Sequence, residues 1–384
     1  MKVLIAGAGI AGLASAIALA RKGHEVTVHE QATRLEAIGA GLQLGPNAVR
    51  MLKTLGVWEQ LEPACVAPAR IRICDARNSR QLTAIELGQN FTTRFGAPYR
   101  VAHRADLIDA LAATAATHDG INIVTGNRVT GLGNGPDATL KLLSGETGSA
   151  DLIVAADGIR SCLRNHIAPG NGIRRSGQTL YRALAPASTL PAALDPEAVY
   201  LWLAPEGHVV HYPVSRGRRM NVVASIEHSS ETSGWNSFAK VDVILACLPN
   251  LCSPLRDVLT APASWLQWSG ADIEPMTGWS RNNCVLVGDA AHASLPYLAQ
   301  GAAMALEDAV VLAGKLGDGS NVPDALAAFE TVRQPRTARI TRESRRNGKV
   351  YHMDGAPSAA RNLAIRLMPQ SLHLRRLAWI YQAQ

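Results

Sequence analysis

Apolar positions along the chain fall into short runs broken by glycine turns. Lys2 to Ala6 is one such run, followed by an Ala-rich helical stretch, Leu13 to Arg21, and a second strand pattern, Glu25 to His29. Asp151 to Ala156 and Cys284 to Val287 are apolar without alternation, as in strands buried on both faces. From about Leu180 to Trp268 the texture changes to alternating strands at Tyr200–Leu203, Val209–Pro213 and Asn221–Ile226, with Trp202, Trp235, Trp265 and Trp268 concentrated there. Strands are also expected at 71–74, 82–87 and 99–102, and a small meander at 122–124, 128–130 and 139–143. Helices are expected over 48–55, 104–116, 241–248 and 324–340, and from Gln300 through Asp308. Ser358 to Ile380 reads as a basic amphipathic packing segment.

Three strand ends carry candidate chemistry. Gly7-Ala8-Gly9-Ile10-Ala11-Gly12 completes GxGxxG between a strand and a helix, and Glu30 ends the next strand. The first glycine makes the tight turn, the second admits a pyrophosphate and the third lets helix pack on strand; the acid accepts from a ribose hydroxyl. In this context the motif indicates dinucleotide binding, and an acid at 30 favours FAD or NAD over a 2′-phosphate. Asp157-Gly158, with Ser161 and Arg164 nearby, ends the 151–156 run. Gly288-Asp289 ends the 284–287 run and leads to Pro296 and a helix N-terminus. In open α/β sheets nucleotides sit at such strand ends. Gly39-Ala40-Gly41 and Gly45-Pro46-Asn47 let backbone run close to a ligand, and Arg104 opens a helix within reach of a phosphate.

Composition narrows the class. The 384 residues are 47% hydrophobic and 18% charged, an ordinary globular balance. The net charge of +7 is concentrated in Arg333, Arg336, Arg339, Arg342, Arg345 and Arg346, without a purely basic run or nucleic-acid-binding motif. The six cysteines show neither CxxC nor metal spacing, so no metal is expected, and free thiols suit a cytoplasmic protein. The apolar start has patterned glycines and a following strand rather than a signal peptide's plan, and no run spans a bilayer.

The motifs GAGIAG with Glu30, ADGIRSCLR (156–164) and GDAAHASLP (288–296), in this order, resemble the single-component FAD-dependent aromatic hydroxylases. PYLAQGAAMALEDA, GHVVHYPV (207–214) and SRRNGKVYHMDG (344–355) are similar to the salicylate and 3-hydroxybenzoate hydroxylase branch. The resemblance covers nearly the whole chain. It implies a Rossmann-like α/β FAD-binding domain of glutathione-reductase type (1–70, 98–179, 270–345), interleaved with a β-sheet substrate domain (71–97, 180–269), plus C-terminal helices (346–384). It implies a bound FAD, NADH or NADPH as co-substrate, and oxygen activated as a flavin C4a-hydroperoxide in a dry site. A small aromatic substrate, phenolic acid-like, is hydroxylated; a hydroxypyridine, a polycyclic phenol, or oxidation without oxygen insertion are the alternatives. The expected state is monomer or homodimer.

Carried over by position, Gly7, Gly9, Gly12 and Glu30 hold the ADP half of FAD, Arg104 lies near the pyrophosphate and ribityl chain, and Asp157 belongs to the DG motif. Asp289 binds a ribityl hydroxyl and Pro296 lies near the flavin ring. Ala11, Gln31, Gly41, Gly288, Gly301 and Ala302 are further expected contacts. His211 is the expected base, because a phenol must lose its proton and histidine titrates near neutrality. From residues alone His211 reads first as a core or surface histidine; the resemblance is what makes it the base. Tyr212 and Gln300 complete the expected catalytic set, with Tyr212 turned to the opposite strand face; Gln300 bonds the substrate, the flavin edge, or neither. A substrate carboxylate needs a donor, for which Arg72, Arg182 and Arg216 are the candidates in the substrate domain, though each reads first as a surface arginine.

Overall fold

The computed structural model describes residues 1–35, 41–133, 138–227, 237–317 and 321–382. Six strands form a sheet in the order Ser280–Arg281, Cys284–Leu286, Leu152–Ala155, Lys2–Ala6, Glu25–His29, Ile121–Val124. Pairing is parallel throughout except at the 280–286 hairpin. Leu152–Ala155 and Cys284–Leu286 are wholly buried, which explains their unbroken apolar sequence. The helices Ile10–Ala20 and Gly301–Lys315 pack on each other beside this sheet. Small residues (Ala11, Ala14, Ala305, Ala309) keep their contact within the buried core.

A second sheet has eight strands, in the order Ser237–Ala239, Trp265–Ile273, Ile173–Pro186, Arg219–Ile226, Gly207–Val214, Ala198–Ala204, Arg70–Asp75, Gln81–Glu86. It is antiparallel except between 198–204 and 70–75. Residues of Val241–Cys247 and Ser253–Thr260 share an apolar core with the sheet, built on Tyr181, Trp202, Val209, Val222, Ile244 and Leu255. The layered α/β fold with interleaved sheets and C-terminal helices is the expected class. Its seams differ from the expected ones: single strands run through residues 179 and 269, because long strands of the second sheet reach into the nucleotide part. Ile121–Val124 joins the parallel sheet, and the meander is 129–132, 138–142 and 147–150. Arg100–His103 pairs with Gly41–Leu44, and Gly41 donates its N–H to Asn221 Oδ1 of the second sheet at 2.7 Å. Gly39, Ala40 and Trp235 lie outside the described residues.

The helix expected over 324–340 runs from Val322 to Tyr351, through Pro335. The following segment is two helices, Gly355–Leu367 and Gln370–Tyr381, parted at Pro369, whose predecessor is held extended. Among the described residues no helix is long and apolar enough to cross a membrane.

These layers meet at a buried ionic cluster. Asp308 accepts from the Gly288 N–H (2.8 Å) and Arg333 Nε (2.7 Å), and pairs with His292 Nε2 (2.6 Å). Glu307 accepts from Arg333, Arg336 and Asn47 at 2.6–2.8 Å. Arg336 also donates to the carbonyls of Trp379 and Ile380, anchoring the C-terminal helix. Burial pushes the Asp308 carboxyl up, but His292 and Arg333 outweigh it and hold it down at about 2. Two carboxylates and two guanidiniums balance one another in the interior, so removing one strands a charge. Arg333→Met is expected to lower stability by about 3–5 kcal/mol, measured as a fall in the urea midpoint at unchanged slope; an unchanged midpoint would show that the cluster is not holding the helices.

Candidate active site

The C-terminal edge of the parallel sheet opens into a cavity of about 280 Å³ between the two sheets. On the nucleotide side it is lined by Gly9, Ile10, Ala11, Ala156, Gly158, Arg104, Asp289, Pro296, Gly301 and Ala302. Two helix N-termini face it. The Ile10–Ala20 and Gly301–Lys315 helices both start without a side-chain cap, so their first N–H groups and positive dipole ends are offered to a ligand. Sterics explain the glycine pattern. A Cβ at Gly12 would stand 1.8 Å from the Gly7 carbonyl oxygen, and one at Gly7 would stand 2.6 Å from the Ala156 oxygen, whereas at Gly9 and Gly301 it would meet nothing within 4 Å. The first pair is glycine for packing; the second leaves open space at the cavity.

Glu30 accepts from the N–H groups of Ala8 (2.7 Å) and Ala32 (2.9 Å), which fixes its carboxylate under the glycine turn; Gln31 beside it is exposed. Asp157 Oδ2 accepts from the Cys162 N–H at 2.9 Å, while its buried Oδ1 has no hydrogen-bond partner. Arg164 donates to the Ala290 carbonyl at 2.8 Å and to Gly158 and Ile159, tying the DG and GD turns together. Gly288 has φ +58°, and a Cβ there would lie 2.6 Å from Ala11 Cβ; Asp289 is exposed on the cavity wall. A glycine cradle, two uncapped helix ends, an orphaned buried carboxylate oxygen and a free carboxylate suit a ligand with phosphates, hydroxyls and a polar ring. FAD has all three.

The opposite wall comes from the large sheet: Arg182, His208, Val210, Tyr212, Val223 and Ser225. Positions 208, 210 and 212 share one strand face. This corrects the expectation for His211. It lies on the other face, buried and stacked on Tyr200 (centroids 4.7 Å, planes 10° apart) and Trp202 (6.2 Å). Its Nε2 has no hydrogen-bond partner, and burial pushes the ring down to about 3. Tyr212 is on the cavity face. His208 was missed, and it lines the cavity three positions earlier. Its Nδ1 is 2.8 Å from His352 Nε2, and Tyr297 and Tyr351 meet its ring edge-on. Burial and the adjacent His352 keep the His208 imidazolium well below its ordinary pKa.

Gln300 is also displaced from its expected place. Its Oε1 accepts from Asn47 Nδ2 at 2.8 Å and its Nε2 bonds its own loop, so the side chain serves the ionic cluster while Ala299 and Gly301 face the cavity. Arg182 is not a surface residue. Its guanidinium lies over Trp268 (4.5 Å), its Nε has no partner, and burial lowers it to about 10.

The FAD binding domain family matches residues 1–344. The chain is 38% identical to a 3-hydroxybenzoate 6-hydroxylase from Klebsiella oxytoca, covering 99% of this chain and 96% of that one. It is 35% identical to a 3-amino-4-hydroxybenzoate 2-monooxygenase from Streptomyces platensis (99% and 95%). A salicylate hydroxylase solved with its substrate superposes with a TM-score of 0.84 at 26% identity, over 100% and 96% of the two chains. The chain belongs to the FAD-dependent aromatic hydroxylases. It is accordingly an aromatic monooxygenase with FAD as cofactor and reduced nicotinamide nucleotide and O2 as co-substrates.

The position of His211 in this hydroxylase generates a pH prediction. Its folded pKa of about 3 lies below the ordinary 6.5, so on acidification the unfolded chain takes the proton first. The stability it contributes is intact above about pH 6.5 and is lost as pH falls towards 3. His211→Phe, which keeps the ring stack, is expected to flatten the fall of Tm with pH in that window and to retain turnover. Loss of turnover with FAD retained would return His211 to the reaction.

Proposed function

We propose that this hydroxylase acts on a single-ring phenolic acid of the 3-hydroxybenzoate type, with His208 taking the phenolic proton. The observation that carries this reading is His208 itself: a buried imidazole on the cavity wall, opposite the two helix N-termini, with one ring nitrogen engaged by His352. Removing the phenolic proton makes the ring electron-rich, and histidine is suited to that step. The names of the relatives, 3-hydroxybenzoate, amino-hydroxybenzoate and salicylate hydroxylases, support the substrate class. Arg182, desolvated by burial and with an unpartnered Nε, is the proposed donor for a substrate carboxylate. Tyr212 closes the same wall, and its burial keeps the phenol protonated as a donor.

For the cofactor, we assign the ADP half to Gly7, Gly9, Ala11 and Gly12, with Glu30 shaping the turn, and a ribityl hydroxyl to Asp289. Arg104 faces the phosphates, and Pro296, Gly301 and Ala302 the flavin. Bound FAD supplies the oxygen transfer once a nicotinamide nucleotide has reduced it. The chain's own residues hold it, exclude water and manage the substrate's proton.

A larger phenol is the second reading. A neighbouring cavity of about 860 Å³ shares Gln43, His208, Val210, Pro296 and Ala299 with the first, more room than a single-ring acid fills.

Asp289→Ala is expected to lower FAD occupancy at fixed FAD concentration, read from the absorbance ratio at 450 and about 280 nm; full occupancy would remove Asp289 from the ribityl site. The decisive assay follows NAD(P)H oxidation and product mass across a panel of hydroxybenzoates, hydroxypyridines and polycyclic phenols. One hydroxybenzoate should stimulate oxidation and gain one oxygen, and His208→Ala should keep FAD but lose at least about 100-fold in hydroxylation. A substrate consumed without gaining oxygen refutes the reading.

A further inference from the structure

His208 is not alone. Its Nδ1 is 2.8 Å from His352 Nε2, and His352 Nδ1 is 2.9 Å from Glu227 Oε1. The first two side chains are buried, while the Glu227 carboxylate is 46% exposed. The three residues come from a substrate-sheet strand, the C-cap of the Val322–Tyr351 helix and the end of the Arg219–Ile226 strand. The His352 backbone is fixed where its carbonyl accepts from the Glu206 N–H at 3.1 Å. We propose that Glu227, His352 and His208 form a proton relay that sets His208 as the base and carries the substrate's phenolic proton from the cavity to the surface. This rests on the reading that His208 faces a phenol.

The direction of the chain follows from hydrogen-bond chemistry. An ionised carboxylate only accepts, so His352 donates from Nδ1. Its Nε2 is then the acceptor, and His208 donates to it from Nδ1. The remaining His208 nitrogen, Nε2, carries the lone pair. An exposed carboxylate thus selects the basic tautomer of a histidine two residues inward.

The transfer balances. The phenolic O–H breaks as its proton bonds His208 Nε2; the His208 Nδ1 proton moves to His352 Nε2; the His352 Nδ1 proton moves to the Glu227 carboxylate, which exchanges with water. Phenolate and a neutral carboxyl result and both imidazoles stay neutral; the tautomers are restored when a proton taken from water at Glu227 passes back through His352 and His208 to the phenolate oxygen of the hydroxylated product. The relay solves a problem that burial creates. His208 is a poor site for a lasting positive charge, its ring being packed against Tyr297, Tyr351 and His352. Burial also disfavours charge on His352, against the support of Glu227 and with a smaller opposition from Arg361. The charge change is instead delivered to a side chain in water.

The test uses the FAD-loaded enzyme and 3-hydroxy-4-nitrobenzoate, a chromogenic phenol, at a pH where the free probe is protonated. Stopped-flow absorbance reads formation of its bound phenolate. Glu227→Gln keeps an acceptor for His352 but no basicity; it and His352→Phe are expected to slow ionisation at least tenfold with probe affinity within twofold. Acetate is expected to restore the rate in Glu227→Ala. Wild-type rates in both variants, with ionisation lost in His208→Ala, overturn the relay and leave the base standing. Wild-type ionisation in His208→Ala overturns both. A second measurement needs no ligand. In histidine-15N-labelled enzyme, the ring shifts of His208 and His352 are expected to titrate together, with Glu227→Gln moving His352 protonation to lower pH; two rings that titrate independently overturn the relay.

Discussion

Asp308 and its neighbours fix the Gly288–Asp289 side of the cavity. One oxygen of that carboxylate accepts from the Gly288 N–H and His292, the other from Arg333. The turn that exposes Asp289, the helix whose N-terminus faces the cavity, and the long helix behind them are therefore fixed at one point. Glu307, one residue earlier, binds Asn47 at the start of the Pro46–Leu55 helix and Arg336, which holds the end of the chain. A buried ionic cluster is weak evidence for stability in itself, because desolvation offsets much of its attraction. Its value lies in geometry: each charge has one satisfactory arrangement, and that arrangement positions five segments at once.

Division of labour between the walls follows from how each is built. The parallel sheet ends in backbone: glycine turns and helix N-termini, which recognise phosphates and ring edges common to a cofactor. The antiparallel sheet offers side chains on alternate positions, and the proposed substrate contacts lie there. Arg182, His208 and Tyr212 sit on three different positions of that surface, so under the proposed function substrate preference can change there while the cofactor cradle is left alone.

The nucleotide side was legible in the sequence because its signals are local. GxGxxG, Asp157-Gly158 and Gly288-Asp289 each join a strand end to a turn within a few residues, and each contributes a residue to the cavity wall. The substrate side was not. In Gly207–Val214 both strand faces are buried, one under helices and one against the cavity, so apolar alternation does not tell which face is which. The missing signal was the register that sets Tyr200 opposite His211. His352 lies 144 residues from His208 and Asn47 lies 253 from Gln300, distances at which no periodicity carries information. Arg182 was read by its residue type, and its stack on Trp268 came from a strand pairing that the sequence leaves open.

The strand order of the parallel sheet has a consequence for how the chain is made. Lys2–Ala6 sits between strands that begin at residues 25 and 152, and the 280–286 hairpin that completes that side of the sheet arrives later still. During synthesis the amino-terminal strand therefore emerges long before its sheet can be completed. Until the stretch around Arg333 leaves the ribosome, Glu307 and Asp308 lack the guanidiniums that neutralise them, and the helix carrying them gains little by packing inward. Such a non-local topology favours slow folding and prolonged exposure of apolar strands. The last tenth of the sequence, which supplies Arg361 and the Trp379 and Ile380 carbonyls, acts as the clasp that closes a structure begun at its first residues.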